Sequence, residues 1–301
     1  IPGFKVQLSD EDFINQINNI NLSVISQTKN IAPADKKIYA LRDVTATVES
    51  IPLIASSIMS KKIASGAKNL VLDIKVGSGA FMKNINDATK LGETMVNIGK
   101  NASINTVAIL SNMNEPLGNN IGNNLEVLEA IEVLKNNGPK DLTDICIELA
   151  TYMVSITKGI DYNNAKDKVI EVLKSGKALD KFYQLVKYQG GDISKLNHNS
   201  KYEYKVYSNK CGYITKMETA KIGKISCMLG AGRVKKEDII DYNAGIVLNK
   251  KINDYVNDKD LLCTLYTDKE IDLSNEYLDS IEISENKVNN DLILGVIKWK
   301  M

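Results

Sequence analysis

Buried-strand and helical patterns alternate in the first half of this chain, and this alternation constrains its fold more than any other feature. The run Asn69–Val76 is apolar enough for a buried strand, and residues 106–110 repeat that pattern after a helical stretch near 86–100. Strands that alternate with helices of this length are typical of parallel βαβ units. We therefore predict an α/β fold, in which a mixed sheet core is flanked by helices and accompanied by accessory helices.

The pattern changes near residue 190. Gly190 and Gly191, followed by the polar run 197–201, indicate a linker. Beyond it the β-forming runs are short and separated by turn residues, and they cover residues 202–207, 212–217, 245–248 and 261–266. Such runs are typical of a mostly antiparallel arrangement. We predict a core domain over residues 1–195 and a C-terminal α+β domain over residues 196–301.

Composition narrows the classes of partner and of chemistry. The formal net charge of +1 gives no basic field for nucleic acid or an anionic membrane, and no apolar run approaches the ~20 residues of a membrane helix. The four cysteines form no CxxC pair and the only histidine is His198, which argues against a zinc site and against a Ser-His-Asp or Cys-His mechanism. Cys146 and Cys263 lie in apolar runs, so we expect small core residues of a reducing compartment.

Two cations, Arg42 and Lys61, lie in a stretch that is otherwise rich in small and apolar residues. Burying a cation there is unfavourable unless an anion or an electron-rich ligand meets it. Ser57 and Lys61 are four residues apart, and Tyr39 and Arg42 are three apart, so each pair shares one helical face. If the two helices meet at the break around Pro52, the four side chains converge on one pocket.

A guanidinium, an ammonium, a hydroxyl and an aromatic ring together suit a planar heterocycle that carries carbonyl oxygens and a ring N–H. The alternative is an ordinary amphipathic helix whose lysines lie in water near its negative C-terminal end. Composition and spacing leave both interpretations open.

Two further segments carry weaker signals. Residues 77–79 read Gly-Ser-Gly after a strand, as phosphate loops do. However, Met82 stands where the dinucleotide fingerprint needs a third glycine, so a tight turn explains these residues equally well.

The loop 115–120 precedes Glu126 and Glu129 on a helix. Loop carbonyls beside a carboxylate can bind a hard cation, although the residues alone favour surface acids.

Residues 39–54, together with Ser57, Lys61 and residues 73–82, resemble the thymidine/pyrimidine-nucleoside phosphorylase family. The resemblance covers the whole chain and is closest to the bacterial pyrimidine-nucleoside phosphorylases of broad specificity. It implies a pentosyltransferase that splits uridine, thymidine or deoxyuridine with phosphate as co-substrate, giving the free base and (deoxy)ribose 1-phosphate. It also implies a cytoplasmic homodimer without an organic cofactor.

The same resemblance assigns roles to residues of the base site. Arg42 and Lys61 match the base-binding cations of the family and are the expected catalytic residues. Ser57 matches a hydroxyl that contacts the base, and Tyr39 a residue that lines the pocket.

A bound potassium ion is also implied. Its ligands would be the carbonyl oxygens of Leu117 and Asn120 and the carboxylate of Glu129, and Asn120 replaces the small residue usual in the family. With the resemblance in view, we favour this interpretation over surface acids.

The phosphate-binding segment of the family lies upstream of the region that Ile1 matches. We therefore expect an N-terminally truncated enzyme that holds the base half of the site, with negligible phosphorolysis by this polypeptide alone. The alternatives are a strict thymidine phosphorylase and a non-catalytic remnant. A related phosphoribosyltransferase of the anthranilate type is disfavoured because its diphosphate and magnesium motifs are not seen.

Overall fold

A computed structural model describes residues 1–26, 32–42, 45, 47 and 49–298, and within residues 32–42 the side chains at 36 and 39–42 are not described. The helices of this part are α1 (Asp10–Ile20), α2 (Pro33–Arg42), α3 (Ile51–Ala64), α4 (Ile85–Asn101), α5 (Asn123–Leu134), α6 (Lys140–Lys158), α7 (Tyr162–Lys174), α8 (Lys177–Tyr188), α9 (Thr219–Ser226) and α10 (Ser274–Leu278). The strands are β1 (Asn69–Val76), β2 (Asn105–Asn112), β3 (Asn120–Ile121), β4 (Tyr202–Tyr207), β5 (Gly212–Met217), β6 (Gly245–Leu248), β7 (Tyr255–Val256), β8 (Leu261–Thr267), β9 (Ile281–Ser284) and β10 (Ile293–Lys298).

The first sheet has the order β1-β2-β10. β1 and β2 are parallel, with Asn69 opposite Asn105 and Val76 opposite Asn112, and α4 connects them. β10 runs antiparallel to β2, so the sheet is mixed. The predicted βαβ unit and the α/β fold class are confirmed.

Helices cover both faces of this sheet because its strands are apolar on both sides. On one face Leu91 and Met95 of α4 pack with Leu72 and Ile74 of β1. On the other face Ile145 of α6 joins the buried residues of β2. Ala55 and Met59 of α3 belong to the same cluster as the α4 residues, so this packing places β1 beneath the helix that carries Ser57 and Lys61.

The C-terminal region builds two antiparallel sheets, with the orders β3-β6-β8-β4 and β7-β5-β9. Their shared core includes Ile214, Leu229, Ile246 and Leu265. The four strands that the sequence predicts here are all present. However, β3 comes from the first half of the chain and pairs with β6, and β10 comes from the C-terminal region and pairs with β2. Each region therefore contributes one strand to a sheet of the other. The domain boundary at residue 195 stays a prediction.

Two local expectations are wrong. Alternating apolar and polar residues over 22–26 predict a short strand, but this segment has no regular structure; its Val24 amide donates to Oε1 of Gln189 at 2.9 Å. Cys263 is buried as expected, whereas Cys146 is exposed. Among the helices of the described ranges, none is both long and apolar enough to cross a membrane.

Candidate functional site

Helix α3 carries the best-defined part of the candidate site. It begins after Ser50, and Pro52 lies in its first turn, where the missing N–H of proline costs nothing. The Lys61 ammonium Nζ donates a hydrogen bond to the Ser57 hydroxyl at 2.7 Å, one helical turn away. Ser57 is only 6% exposed. The structure thus brings these two predicted residues together.

Asp35 is a third member of this group, and the sequence gave no reason to single it out. Its Oδ2 accepts a hydrogen bond from Lys61 Nζ at 2.7 Å, which joins α2 to α3. The side chain of Asp35 is 9% exposed and that of Lys61 is 30% exposed. Lys61 is therefore not a freely solvated lysine at a helix end.

The side chains of Tyr39 and Arg42, the other two predicted residues, lie outside the described part of the chain. Their backbone positions belong to α2. Positions 35, 39 and 42 repeat at intervals of four and three residues, so they fall along one face of the helix. Because Asp35 contacts Lys61, that face is the one turned towards α3. The contact between α2 and α3 is thus shown by Asp35 and Lys61, and the convergence of all four predicted side chains on one pocket stays a prediction.

Ser57 also lines a cavity of about 430 Å³ that lies between α3, β1, α4 and the loop after β1. The lining is largely apolar, with polar groups from Ser57 and from Asp73 and Lys75 on β1. Asp73 and Lys75 form an ion pair at 2.7 Å, and Ser111 donates a hydrogen bond to Asp73. This volume falls in the range typical of small-molecule sites. The Lys61 ammonium is thus one hydrogen bond away from a cavity that could hold a small heterocycle.

A larger groove of about 910 Å³ lies along α5, α6 and α7. Its walls are almost entirely aliphatic, as at Val133, Leu142 and Ile147, and it contains none of the predicted site residues. A heterocycle with several carbonyl and N–H groups needs convergent polar partners. We therefore place the candidate site at the smaller cavity beside Ser57.

The loop Gly77-Ser78-Gly79 forms one edge of this cavity as a tight turn. Gly77 has φ +132°, and its amide donates to the carbonyl of Met82 at 2.9 Å. The amide of Gly79 donates to the carbonyl of Met113 at 3.0 Å. Because the protein itself takes up these donors, the structure favours the turn interpretation over a phosphate loop.

Two of the three proposed potassium ligands, Asn120 and Glu129, are in direct contact beside α5. Glu129 is 6% exposed, and its Oε1 accepts hydrogen bonds from the amides of Asn119 (2.9 Å) and Asn120 (3.2 Å). Gly118 has φ +71°, and a Cβ there would overlap Oε2 of Glu129. Burial raises the pKa of Glu129, although the two amides oppose this shift. A buried carboxylate beside the loop that carries the other two proposed ligands is chemically suited to a weakly hydrated cation, and the potassium site stays a prediction.

Across the described ranges, no cluster of three or more His, Cys, Asp or Glu side chains could hold a metal ion. A cation at Glu129 would therefore depend on backbone oxygens for most of its ligands.

A partly buried charge cluster beside this loop was not predicted. Nζ of Lys251 contacts Oδ2 of Asp141 and lies 4.0 Å from Oε1 of Glu115. Burial raises the pKa of Glu115, which Lys251 only partly opposes. Burial also tends to raise the pKa of Asp141. Lys251 and the amide of Gly118 outweigh this effect, so the pKa of Asp141 is lowered. The cluster joins α6, the loop after β2 and the C-terminal region.

Comparison with known proteins agrees with the resemblance. The chain matches the glycosyl transferase family, a/b domain, over residues 1–179, and the pyrimidine nucleoside phosphorylase C-terminal domain over residues 213–284. A pyrimidine-nucleoside phosphorylase of Staphylococcus epidermidis (strain ATCC 12228 / FDA PCI 1200) is 50% identical over 279 residues, which are 90% of this chain and 64% of that protein. One of Staphylococcus aureus (strain bovine RF122 / ET3-1) is 48% identical over 305 residues, 99% of this chain and 70% of that protein. The chain thus spans somewhat less than two thirds of the length of the Staphylococcus epidermidis relative.

Proposed function

Because the chain belongs to the pyrimidine-nucleoside phosphorylase family, we propose that the protein splits pyrimidine nucleosides with phosphate into the free base and (deoxy)ribose 1-phosphate. The observation that carries this proposal within the structure is the contact between the Lys61 ammonium and the Ser57 hydroxyl at the wall of a small cavity. The proposed substrates are uridine, deoxyuridine and thymidine.

The proposed mechanism follows from where charge develops. When the glycosidic bond breaks, the base leaves with the bonding electrons and its ring carbonyl oxygens become negative, while the sugar becomes oxocarbenium-like. A cation fixed at those oxygens stabilises the transition state more than the neutral substrate. Lys61 supplies one such cation and Ser57 a second hydrogen-bonding group. Arg42, on the face of α2 turned towards α3, is the second cation of the proposal.

Turnover by the full-length gene product tests the function. Uridine, deoxyuridine and thymidine are incubated in parallel with and without phosphate, and release of the free base is measured by chromatography. We expect phosphate-dependent release from all three nucleosides. Turnover of thymidine alone would favour a strict thymidine phosphorylase, and no turnover of any nucleoside would favour the non-catalytic alternative.

Ser57→Ala is expected to weaken binding of uracil to residues 1–301 by about tenfold, since a hydrogen bond to a small polar ligand is worth roughly 0.5–1.5 kcal/mol and Ser57 also orients Lys61. Isothermal titration calorimetry measures this change. Ser56→Ala is the matched control because Ser56 is exposed on the same helix. Equal affinity of the Ser57 variant and the wild type would contradict a role for this hydroxyl at the base.

We also propose that the protein binds potassium at Glu129, with the carbonyls of Leu117 and Asn120 as further ligands. When bound, the ion would supply positive charge that holds the loop against α5. The buried carboxylate and the close approach of Gly118 support this assignment.

Potassium chloride is expected to raise the melting temperature of the wild type above its value in an equal concentration of choline chloride, because a ligand that binds only the folded state stabilises it. Glu129→Gln keeps an acceptor for the two amides but removes the charge, and we expect it to abolish this difference. Glu126→Gln is the control, since Glu126 is exposed and accepts from the amide of Gly122 at 3.1 Å. A potassium response that survives in the Glu129 variant would reject the site.

We also propose that the protein is a homodimer and that it acts in the cytoplasm. The support is the family relationship, together with four cysteines that are all unpaired, as in a reducing compartment. Light scattering coupled to size exclusion tests the dimer, and a monomer at micromolar concentration would contradict it.

A further inference from the structure

We propose that Asp35 is a positioning residue that holds the Lys61 ammonium in the orientation in which it meets the departing nucleobase. This inference rests on the proposed function and adds to it a residue on the helix before α3. The observation behind it is the hydrogen-bonded ion pair between Lys61 Nζ and Asp35 Oδ2 at 2.7 Å.

Lys61 would be poorly oriented without a second partner. Its side chain is a flexible stem of four carbons, and loss of rotamer freedom opposes any fixed position of its end group. Ser57 lies one turn earlier on the same helix, so it anchors the ammonium from one side only. Asp35 reaches the same nitrogen from α2. Two acceptors from different helices restrict the direction in which the ammonium points.

Burial makes this ion pair stronger than an ordinary surface pair. Asp35 is 9% exposed, so water screens its carboxylate poorly. Fixed polar groups that need no reorganisation during the reaction are the main source of electrostatic catalysis. A lysine held in advance by Asp35 and Ser57 meets that requirement, whereas a mobile lysine would have to be ordered in each turnover.

The expected kinetic signature follows from this positioning role. An ammonium held in advance acts on the negative charge that develops only as the glycosidic bond breaks, and it contributes little to binding of the neutral nucleoside. Removing Asp35 is therefore expected to lower kcat more than it changes KM.

A purely structural role is the competing explanation, because Asp35 lies in the first turn of α2, where an acid stabilises a helix. Asp87 provides a matched control. It lies in the first turn of α4, is exposed and contacts the cap residue Asn84. If helix stabilisation were the only role, Asp35→Asn and Asp87→Asn would behave alike.

The test is a double-mutant cycle on phosphorolysis by the full-length protein, with Asp35→Asn, Lys61→Met and the double variant. Loss of a hydrogen bond to a charged group predicts that Asp35→Asn lowers kcat/KM by about tenfold to a hundredfold, mostly through kcat. In the Lys61→Met background the same change is expected to have no further effect. Asp35→Glu is expected to restore part of the activity, and Asp87→Asn to leave it unchanged. Normal turnover by Asp35→Asn, or an undiminished effect in the double variant, would overturn the inference.

A second readout separates failure of this inference from failure of the proposed function. Residues 1–301 are treated briefly with an acylating reagent, and labelling of Lys61 relative to its exposed neighbour Lys62 is measured by mass spectrometry. Because Asp35 shields the ammonium, the ratio is expected to rise several-fold in Asp35→Asn and to stay constant in Asp87→Asn. An unchanged ratio overturns the inference even if the wild type proves inactive. An inactive wild type with a raised ratio rejects the function but keeps the role of Asp35 in holding Lys61.

Discussion

Lys61→Ala lowers kcat/KM for uridine phosphorolysis by about a hundredfold to a thousandfold in the full-length protein, the loss expected when one donor to a developing negative charge is removed. In the proposed mechanism the Lys61 ammonium, one hydrogen bond from the cavity wall at Ser57, is the group that meets the charge of the departing base. Steady-state kinetics with uridine and phosphate measures the effect. Arg42→Ala is expected to lower kcat/KM by a similar factor, because the family resemblance implies that Arg42 is the second base-binding cation.

Lys62→Ala is the control for this prediction. Lys62 is the adjacent residue of α3, carries the same charge and is exposed. Its removal changes the general charge of the surface in the same way but leaves the contacts with Ser57 and Asp35 intact. Near-normal turnover by the Lys61 variant, or an equal loss in both variants, would show that a specific ammonium at the base is not required.

Lys251→Met is expected to lower the free energy of unfolding by about 2–3 kcal/mol at pH 7, somewhat below the cost of breaking a fully buried pair because Lys251 and Asp141 keep some exposure. The change leaves the carboxylates of Asp141 and Glu115 without their cation. Denaturation by urea, followed by circular dichroism, measures it. Lys250→Met is the control, since the Lys250–Asp260 pair at 3.5 Å is more exposed and its loss should cost clearly less.

The same variant has a defined dependence on pH. In the wild type Lys251 helps to lower the pKa of Asp141, so this carboxylate stabilises the fold above its ordinary pKa of 3.8, and that contribution is lost as the pH falls through the lower folded value. Glu115 acts in the opposite sense. Its pKa is raised above 4.5, and loss of Lys251 raises it further, so the variant regains stability as this group takes up a proton. The difference between the two proteins is therefore expected to shrink as the pH falls from 7 towards 4, and a constant difference would contradict this explanation.

The local parts of the fold were predictable because each follows from a short pattern. β1 and β2 are continuous apolar runs, as buried parallel strands require, and the pairing of Ser57 with Lys61 follows from a spacing of four residues on a helix. The segment 22–26 shows the limit of such patterns. Its alternation fits a strand, but the side chain of Gln189 provides the hydrogen bonds that a neighbouring strand would have provided.

The parts that were missed depend on packing between distant segments. Asp35 and Lys61 are 26 residues apart, and their contact depends on the angle at which α2 meets α3. Asp141 and Lys251 are 110 residues apart and lie on opposite sides of the predicted domain boundary. The apolar residues of β10 indicate a strand, but nothing in that run specifies that the strand pairs antiparallel with β2 in the first sheet.

A crystal structure of the protein with uracil bound tests the base site most directly. We predict that a ring carbonyl oxygen lies within about 3.2 Å of Lys61 Nζ, with the Ser57 hydroxyl and the Arg42 guanidinium hydrogen-bonded to the same ring. Uracil bound at another place, with the Lys61 and Arg42 side chains directed into bulk water and sharing no cavity, would contradict the proposed site.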